Sequence, residues 1–191
     1  MRTADTRRGA DRGRLGLRQS EACGLTVDRI DFLRRVVRVD RQLLTPASGP
    51  AGFAPPKTAS PFRSIPLPSF VGKAIAAHLA EHGDGVDGLI LHLPIGAPLN
   101  RNRFGVAWRA ATSTAKASEV RYHDLRHTFA STLLSAGVSV KAVADWLGHA
   151  SATITLETYA HLMPVDDDRA RTVLDAVFAQ SAEDQLRTGT R

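Results

Sequence analysis

Residues 123–127 read His-Asp-Leu-Arg-His, residues 147–149 read Leu-Gly-His, and Tyr159 follows them. These segments lie in the part of the chain where apolar residues recur at helical spacing, which indicates a helical fold. They also place histidine, arginine and tyrosine side chains, all of which can form hydrogen bonds, on successive predicted helices. The same stretch therefore points to a helical domain and to a possible site.

The first of these segments is predicted to present a polar row from one helix. His123 and Arg126 are three residues apart, so we expect them to point the same way, with His127 close by. The apolar residues of this helix fall on another face and would anchor it in the core. This leaves the polar row free to line a site.

The second half of the chain is predicted to be almost entirely helical. Glycines at 137 and 148 are plausible stops between helices. The predicted helices are 101–114, 123–136, 139–147, 151–161 and 166–180. In the last of them an acidic first turn suits the helix dipole, and an apolar stripe requires a partner surface, either its own domain or a neighbouring subunit.

The first half is predicted to hold a small sheet. Residues 18–25 form a short helix, 27–43 a two-stranded element, and 45–56 a loop rich in Pro and Gly. Residues 62–68 read as a third strand, whose prolines favour a sheet edge, and 69–83 as a helix. The predicted fold class is therefore mainly α with a small antiparallel β-sheet (α+β).

The composition limits the class of protein. The chain has 191 residues, 43% of them hydrophobic, and a net charge of +6, which favours a polyanionic partner such as nucleic acid. We expect no membrane partner, since no apolar run is long enough to cross a bilayer. Cys23 is the only cysteine, so no intramolecular disulfide can form, and a cytoplasmic location is the default expectation.

A metal site is one interpretation of the paired histidines. His123 and His127 have the i, i+4 spacing of helical zinc ligands. Against it, Asp124 stands where a metalloprotease needs Glu, and Arg126 would repel a cation. We therefore expect no metal and no other cofactor.

A phosphoryl-transfer site explains more of the residues. Arg18 and Arg126 can each give forked donors to phosphate oxygens, where charge develops in the transition state. His123 and His149 can donate further hydrogen bonds or move a proton. Tyr159 offers a nucleophile that would leave a covalent phosphotyrosine.

Two further residues fit the same chemistry. Lys57, in a Pro-Lys-Thr turn ahead of a strand, could protonate a leaving hydroxyl. Glu21 lies three residues after Arg18 and could orient the site as a supporting residue, as could His127. A solvated basic surface remains the plain alternative for all of these charges.

These residues, in this order, resemble the tyrosine recombinases of the phage integrase family. The family pattern is an arginine in a Gly-Leu-Arg turn, a lysine in a β-hairpin, a His-x-x-Arg pair, a His or Trp, and a tyrosine. The resemblance runs from about residue 15 to the last helix. It implies a recombinase catalytic-domain fold in which Tyr159 attacks a DNA phosphate, joins the 3′ end and releases a 5′ hydroxyl, with no need for ATP or metal.

The resemblance also implies partners and limits. Family members act as tetramers on double-stranded DNA, and the helix 166–180 fits the segment that docks on a neighbour. We expect a catalytic domain at 16–181, a disordered or unrelated segment at 1–15, and a flexible tail at 182–191. The helical domain that usually clamps DNA ahead of the catalytic domain is not expected in this chain.

Three functions stay open from the sequence. The first is the catalytic domain of a site-specific recombinase. The second is a DNA-binding remnant of an integrase that forms no covalent adduct, and the third is a nicking enzyme like the type IB topoisomerases. A metal-dependent hydrolase is a distant fourth.

Overall fold

A computed structural model describes residues 15–57 and 62–162, together with positions 167, 170–172, 174, 175 and 178. The predicted segments at 1–15 and 182–191 lie outside the described residues, Leu15 excepted. The predicted helix 166–180 lies largely outside them as well, although the seven positions described within it are helical.

The strands form two small antiparallel sheets. In chain order they are β1 (Ile30–Asp31), β2 (Val36–Val39), β3 (Gln42–Leu44), β4 (Gly52–Ala54) and β5 (Arg63–Pro66). One sheet has the order β1-β2-β5, and β3 pairs with β4 in the other. The edge position predicted for the third strand at 62–68 is confirmed by β5.

Two of the five strands, β3 and β4, were not predicted from the sequence. The prediction of a loop over 45–56 is wrong for β4, whose Phe53 pairs with Leu43 of β3. The flanking Pro and Gly residues indicate turns, but a three-residue strand depends mainly on the partner strand that supplies its hydrogen bonds. The prediction of a single two-stranded element over 27–43 is likewise incomplete, because Gln42 and Leu43 belong to the second sheet.

The helices agree with their predicted positions to within two residues. They are α1 (Gln19–Cys23), α2 (Ser69–His82), α3 (Arg101–Thr114), α4 (Tyr122–Ser135), α5 (Val140–Leu147) and α6 (Ala152–Tyr159), and a 3₁₀ turn (Ala160–Leu162) follows α6. The mainly helical α+β class is thereby confirmed. No helix among the described residues is both long enough and apolar enough to cross a bilayer.

Two clusters of buried side chains place the site between them. In the first, Val37 and Ile65 of the sheet pack with Val71 and Ile75 of α2 and with the segment before α1. The second joins α4, α5 and α6. Phe129 and Trp146 contact both clusters, so the segment before α1 and the end of α5 meet along α4.

Candidate functional site

Arg126 lies at the centre of the site and is 5% exposed. Its Nη1 donates to the carbonyl of Gly16 at 2.7 Å, and its Nη2 donates to the carbonyl of Leu147 at 2.6 Å. Burial, with the nearby charge of Arg18, lowers the pKa of Arg126 to about 10, so the guanidinium remains charged at neutral pH. The two main-chain acceptors fix the plane of the guanidinium.

Gly16 allows this close packing. It has a φ of +67°, and an added Cβ would lie 2.7 Å from the ring of Phe129 on α4. Only glycine adopts such a backbone without strain. The turn therefore brings its carbonyl to Arg126 and leads directly into Arg18.

Arg18 is the N-cap residue of α1, and its side chain is partly open to solvent. Its backbone N–H donates to Glu21 Oε2 at 2.8 Å, and its Nη1 lies 3.2 Å from Glu21 Oε1. The same Nη1 donates to the carbonyl of Leu147 at 3.5 Å. The side chain is 34% exposed, so it is held in place yet open to a ligand.

Glu21 is buried and binds a second arginine, Arg63, which was not among the predicted site residues. Arg63 of β5 donates from Nη1 and Nη2 to the two oxygens of Glu21 at 3.1 and 2.7 Å, and from Nε to the carbonyl of Trp146 at 2.8 Å. Burial raises the pKa of the Glu21 carboxyl, but the hydrogen bond and charge of Arg63, with those of Arg18, bring it below its ordinary value. The missed signal was the alternation of β5, which puts Arg63 on the inward face with Ile65.

His149 follows the left-handed Gly148 that ends α5, whose φ is +66°. Its Nδ1 lies 2.8 Å from the hydroxyl of Thr155, which is fully buried. Burial, with the charges of Arg126, Arg18 and Arg63, lowers the pKa of His149 to about 4. The imidazole is therefore neutral near pH 7 and can donate one hydrogen bond from Nε2 if Nδ1 accepts from Thr155.

Tyr159, at the end of α6, is 5% exposed and is hydrogen-bonded to α4. Its hydroxyl lies 2.6 Å from Nδ1 of His127, and the two rings are tilted with centroids 5.8 Å apart. Burial raises the pKa of Tyr159, while the charge of Arg126 acts in the opposite direction. The phenol is thus protonated at rest, close enough to Arg126 to feel its charge.

The structure brings His123 and Arg126 close enough for their charges to interact but buries them to different extents. Arg126 is turned into the interior, whereas His123 is exposed and stacks edge-on against His127, with ring centroids 4.8 Å apart. Burial, followed by the charges of His127 and Arg126, lowers the pKa of His123. The angular step between residues three apart is enough for one to face the core and the other the solvent.

Lys57, another predicted site residue, follows strand β4. It is exposed in the bend after β4, and within the described parts of the chain it makes no hydrogen bond or ion pair with the other predicted site residues. Hydrogen bonds do connect α1 to the base of the β3–β4 hairpin that Lys57 follows. Ser20 of α1 donates to Gln42 Oε1 at 3.0 Å, and Gln42 Nε2 donates to the carbonyl of Pro55 at 2.7 Å.

The charges of the site favour an anionic ligand. Arg18, Arg63 and Arg126 surround the end of α5 with one carboxylate, Glu21, among them. Over residues 15–57 and 62–162 and the helical positions beyond, there is no group of three His, Cys, Asp or Glu side chains that could hold a metal ion. The excess positive charge and the forked donors suit phosphate oxygens.

Fold and site together define a mainly helical domain with a buried arginine cluster beside a tyrosine. The profile of the phage integrase family matches residues 14–164, and the chain belongs to this family.

Individual relatives agree with this assignment. A XerC-like tyrosine recombinase of Caldanaerobacter subterraneus subsp. tengcongensis is 26% identical over 183 residues, covering 85% of this chain and 47% of the relative. The transposase of transposon Tn916 from Enterococcus faecalis is 31% identical over 163 residues, covering 76% and 39%. The chain therefore spans less than half the length of these curated relatives.

A solved structure gives the same result for the fold. The Tn1549 transposon integrase, in complex with transposon right end DNA, superimposes with a TM-score of 0.72 at 30% identity. The match covers 90% of this chain and 59% of the other. The expected recombinase catalytic-domain fold is confirmed.

Proposed function

We propose that this chain is the catalytic domain of a site-specific DNA recombinase that cleaves and rejoins DNA through a 3′-phosphotyrosyl intermediate. The observation that carries the proposal is the convergence of Arg18 and Arg126 on one carbonyl, close to the hydroxyl-bearing Tyr159. Two fixed guanidiniums would hold the non-bridging oxygens of a phosphodiester, and the phenol would attack its phosphorus.

The residues divide the reaction between them. The Tyr159 oxygen forms a bond to phosphorus while the bond from phosphorus to the 5′ oxygen breaks. Lys57 gives a proton to the departing 5′ oxygen, and His123 and His149 donate hydrogen bonds to the phosphate. Attack by the 5′ hydroxyl of another strand reverses these steps, and the bond energy retained in the phosphotyrosine makes ATP unnecessary.

Glu21 and Arg63 act by support rather than by contact with DNA. The buried ion pair holds α1 against β5, and Arg63 also donates to the carbonyl of Trp146 near the end of α5. Glu21 in addition fixes the backbone and side chain of Arg18. A displaced Glu21 would free the Arg18 guanidinium to rotate. This matters because small errors in the placement of a catalytic group reduce rates strongly.

Double-stranded DNA is the proposed partner. A groove next to Arg18 is lined by Gln19, Arg101 and Arg109, and Gln19 Nε2 donates to the carbonyl of Arg101 at 3.5 Å. These arginines extend the positive charge of the site along α3, where a DNA backbone could continue. Similarity to an integrase solved with DNA supports this partner.

The proposal extends to the organisation of the protein. The catalytic domain spans 16–181, acts in the cytoplasm, and assembles as a tetramer on DNA through the helix 166–180. Leu174 and Phe178, at two of its described positions, are 52% and 66% exposed, which supports a surface available to a neighbour.

A covalent-adduct trap tests the proposal. The protein is mixed with sheared genomic DNA of its source organism, denatured in detergent, and assayed for DNA that remains attached. Attachment by the unmodified protein and not by a Tyr159→Phe variant is the expected result. Salt-sensitive DNA binding without attachment would instead identify a non-catalytic remnant.

A further inference from the structure

The tyrosine of this site has a single hydrogen-bonding partner among the described residues, and that partner can take up a proton. The Tyr159 hydroxyl lies 2.6 Å from Nδ1 of His127, within the range of a good hydrogen bond between an O–H donor and a ring nitrogen. The hydroxyl can donate to Nδ1 only if the neutral imidazole carries its own proton on Nε2. That tautomer leaves Nδ1 ready to accept.

We propose that His127, rather than His123, is the catalytic base that accepts the Tyr159 proton during cleavage. This inference rests on the proposed function. The proton moves from the phenol oxygen to Nδ1 as the bond from that oxygen to phosphorus forms. The bond to the 5′ oxygen breaks, and that oxygen takes its proton from Lys57. In the rejoining step His127 returns its proton to Tyr159.

The difference in exposure between Tyr159 and His127 supports proton transfer from the phenol to the imidazole. Most of Tyr159 is buried, with 5% of the residue exposed, and its hydroxyl already lies 2.6 Å from Nδ1 of His127, which offers the phenol proton a fixed acceptor. The ring of His127 is exposed, so the charge it gains lies at the surface, where solvation stabilises it. Transfer of the phenol proton to the exposed ring of His127 is therefore easier than its release from Tyr159 directly to bulk water.

His123 is the less suitable base in this geometry. Its ring lies edge-on against His127, with ring centroids 4.8 Å apart, whereas the phenol hydrogen-bonds to His127. His149 has its Nδ1 engaged with Thr155. His123 and His149 are thus left to the phosphate oxygens, and His127 to the nucleophile.

A first test needs neither DNA nor activity. The protein is labelled with ¹⁵N-histidine, and the His127 resonances are identified by their loss in a His127→Asn variant. We expect the signal of an Nδ1 that accepts a hydrogen bond, and this signal should move in a Tyr159→Phe variant. A protonated Nδ1 in the folded protein would overturn the proposal.

A second test measures single-turnover adduct formation on a nicked DNA carrying a site recovered from the adduct trap. Asn places an oxygen or nitrogen near the position of Nδ1 but cannot accept the proton, so His127→Asn should slow adduct formation about 10²-fold or more at unchanged DNA affinity. Thr128→Ala is the matched control, since Thr128 is exposed on the same helix and donates only to the carbonyl of Asp124. An unchanged rate in His127→Asn would contradict the assignment.

A third test separates proton transfer from a merely structural role. The chain contains two tyrosines, so in a Tyr122→Phe background fluorotyrosine labels Tyr159 alone. A fluorinated phenol is more acidic and needs a base less, so it should recover part of the rate lost in His127→Asn and give no such gain with His127 present. Equal effects of fluorination in the two proteins would overturn the proposal.

These experiments distinguish failure of the proposed function from failure of the role assigned to His127. If the unmodified protein forms no adduct, the proposed function fails, and the proton transfer fails with it. If the unmodified protein forms adducts and His127→Asn forms them equally fast, only the role of His127 fails.

Discussion

Arg18 and Arg126 donate hydrogen bonds to the same acceptor, the carbonyl of Leu147, at 3.5 and 2.6 Å. Two like charges are thus held side by side, one buried and one partly open. Burial, followed by repulsion from the charge of Arg18, lowers the pKa of Arg126 to about 10. An anion bound between them would relieve this repulsion.

Inorganic phosphate should therefore stabilise the folded protein. At a concentration ten times its dissociation constant, a ligand that binds only the folded state adds about 1.4 kcal/mol. We expect a rise in Tm with phosphate that is larger than with chloride at equal ionic strength. The rise should be lost in Arg18→Ala and kept in Arg34→Ala, which removes an exposed arginine outside the site. Equal rises in both variants would contradict the anion site.

Tyr159→Phe should abolish covalent attachment and leave DNA affinity nearly unchanged. The substitution removes one oxygen, and the partner that loses its hydrogen bond, Nδ1 of His127, belongs to an exposed ring that water can reach. Folding should therefore be little affected. Detergent-stable adducts measure the first effect, and salt-dependent DNA binding measures the second. Adducts formed by the variant would rule out Tyr159 as the nucleophile.

Arg126→Ala should reduce both cleavage and stability. Loss of a preorganised donor to a developing charge lowers rates by about 10²–10³-fold. The carbonyls of Gly16 and Leu147 also lose their guanidinium, and an unsatisfied buried acceptor costs about 1–3 kcal/mol. Single-turnover cleavage and urea unfolding measure the two effects separately. A stable variant with an unchanged cleavage rate would contradict both roles.

Much of this fold follows from local sequence signals. Helix α3 was predicted at its observed bounds, and Gly148 ends α5 in the left-handed conformation that glycine favours. Strand β4 could not be predicted in the same way, because its three residues are ordered by pairing with β3 and not by their own propensities.

The types of residue in the candidate site could be predicted from the sequence, but their hydrogen-bonding partners and their burial could not. Arg18, Arg126, His149 and Tyr159 were chosen for their chemistry, and the structure brings them around the end of α5. The alternation of β5 marks Arg63 as facing inward, but its pairing with Glu21, 42 positions away, has no local signal. Whether a polar residue of α4 faces the core or the solvent, as with Arg126 and His123, also depends on what packs against the helix.

The Glu21–Arg63 pair should show strong energetic coupling. Their side chains are 1% and 3% exposed. Removing Glu21 leaves the buried charge of Arg63 unpaired, at a cost of about 3–5 kcal/mol, and removing Arg63 leaves Glu21 with Arg18 as its remaining ionic partner. We expect Glu21→Gln and Arg63→Met to be strongly destabilising singly, and the double variant to be much less destabilised than their sum. Urea unfolding of the four proteins measures this coupling. Additive effects would show that the pair does not act as a unit.

His149 should make the stability of the protein depend on pH. Its pKa is about 4 in the folded chain and about 6.5 when unfolded, so between these values the unfolded chain binds more protons. The contribution of His149 is therefore fully present above about pH 6.5 and is lost as the pH falls towards 4.

Other groups contribute in this range, among them His123, whose pKa is also lowered by burial, so the test is a difference between variants. His149→Asn keeps a partner for Thr155 and cannot take up a proton, so its stability should fall less steeply from pH 6.5 to 4.5. His161→Asn, at an exposed position after α6, is the matched control and should keep the slope of the unmodified protein. Equal slopes in all three proteins, measured by urea unfolding at each pH, would show that His149 does not charge against the arginine cluster in this range.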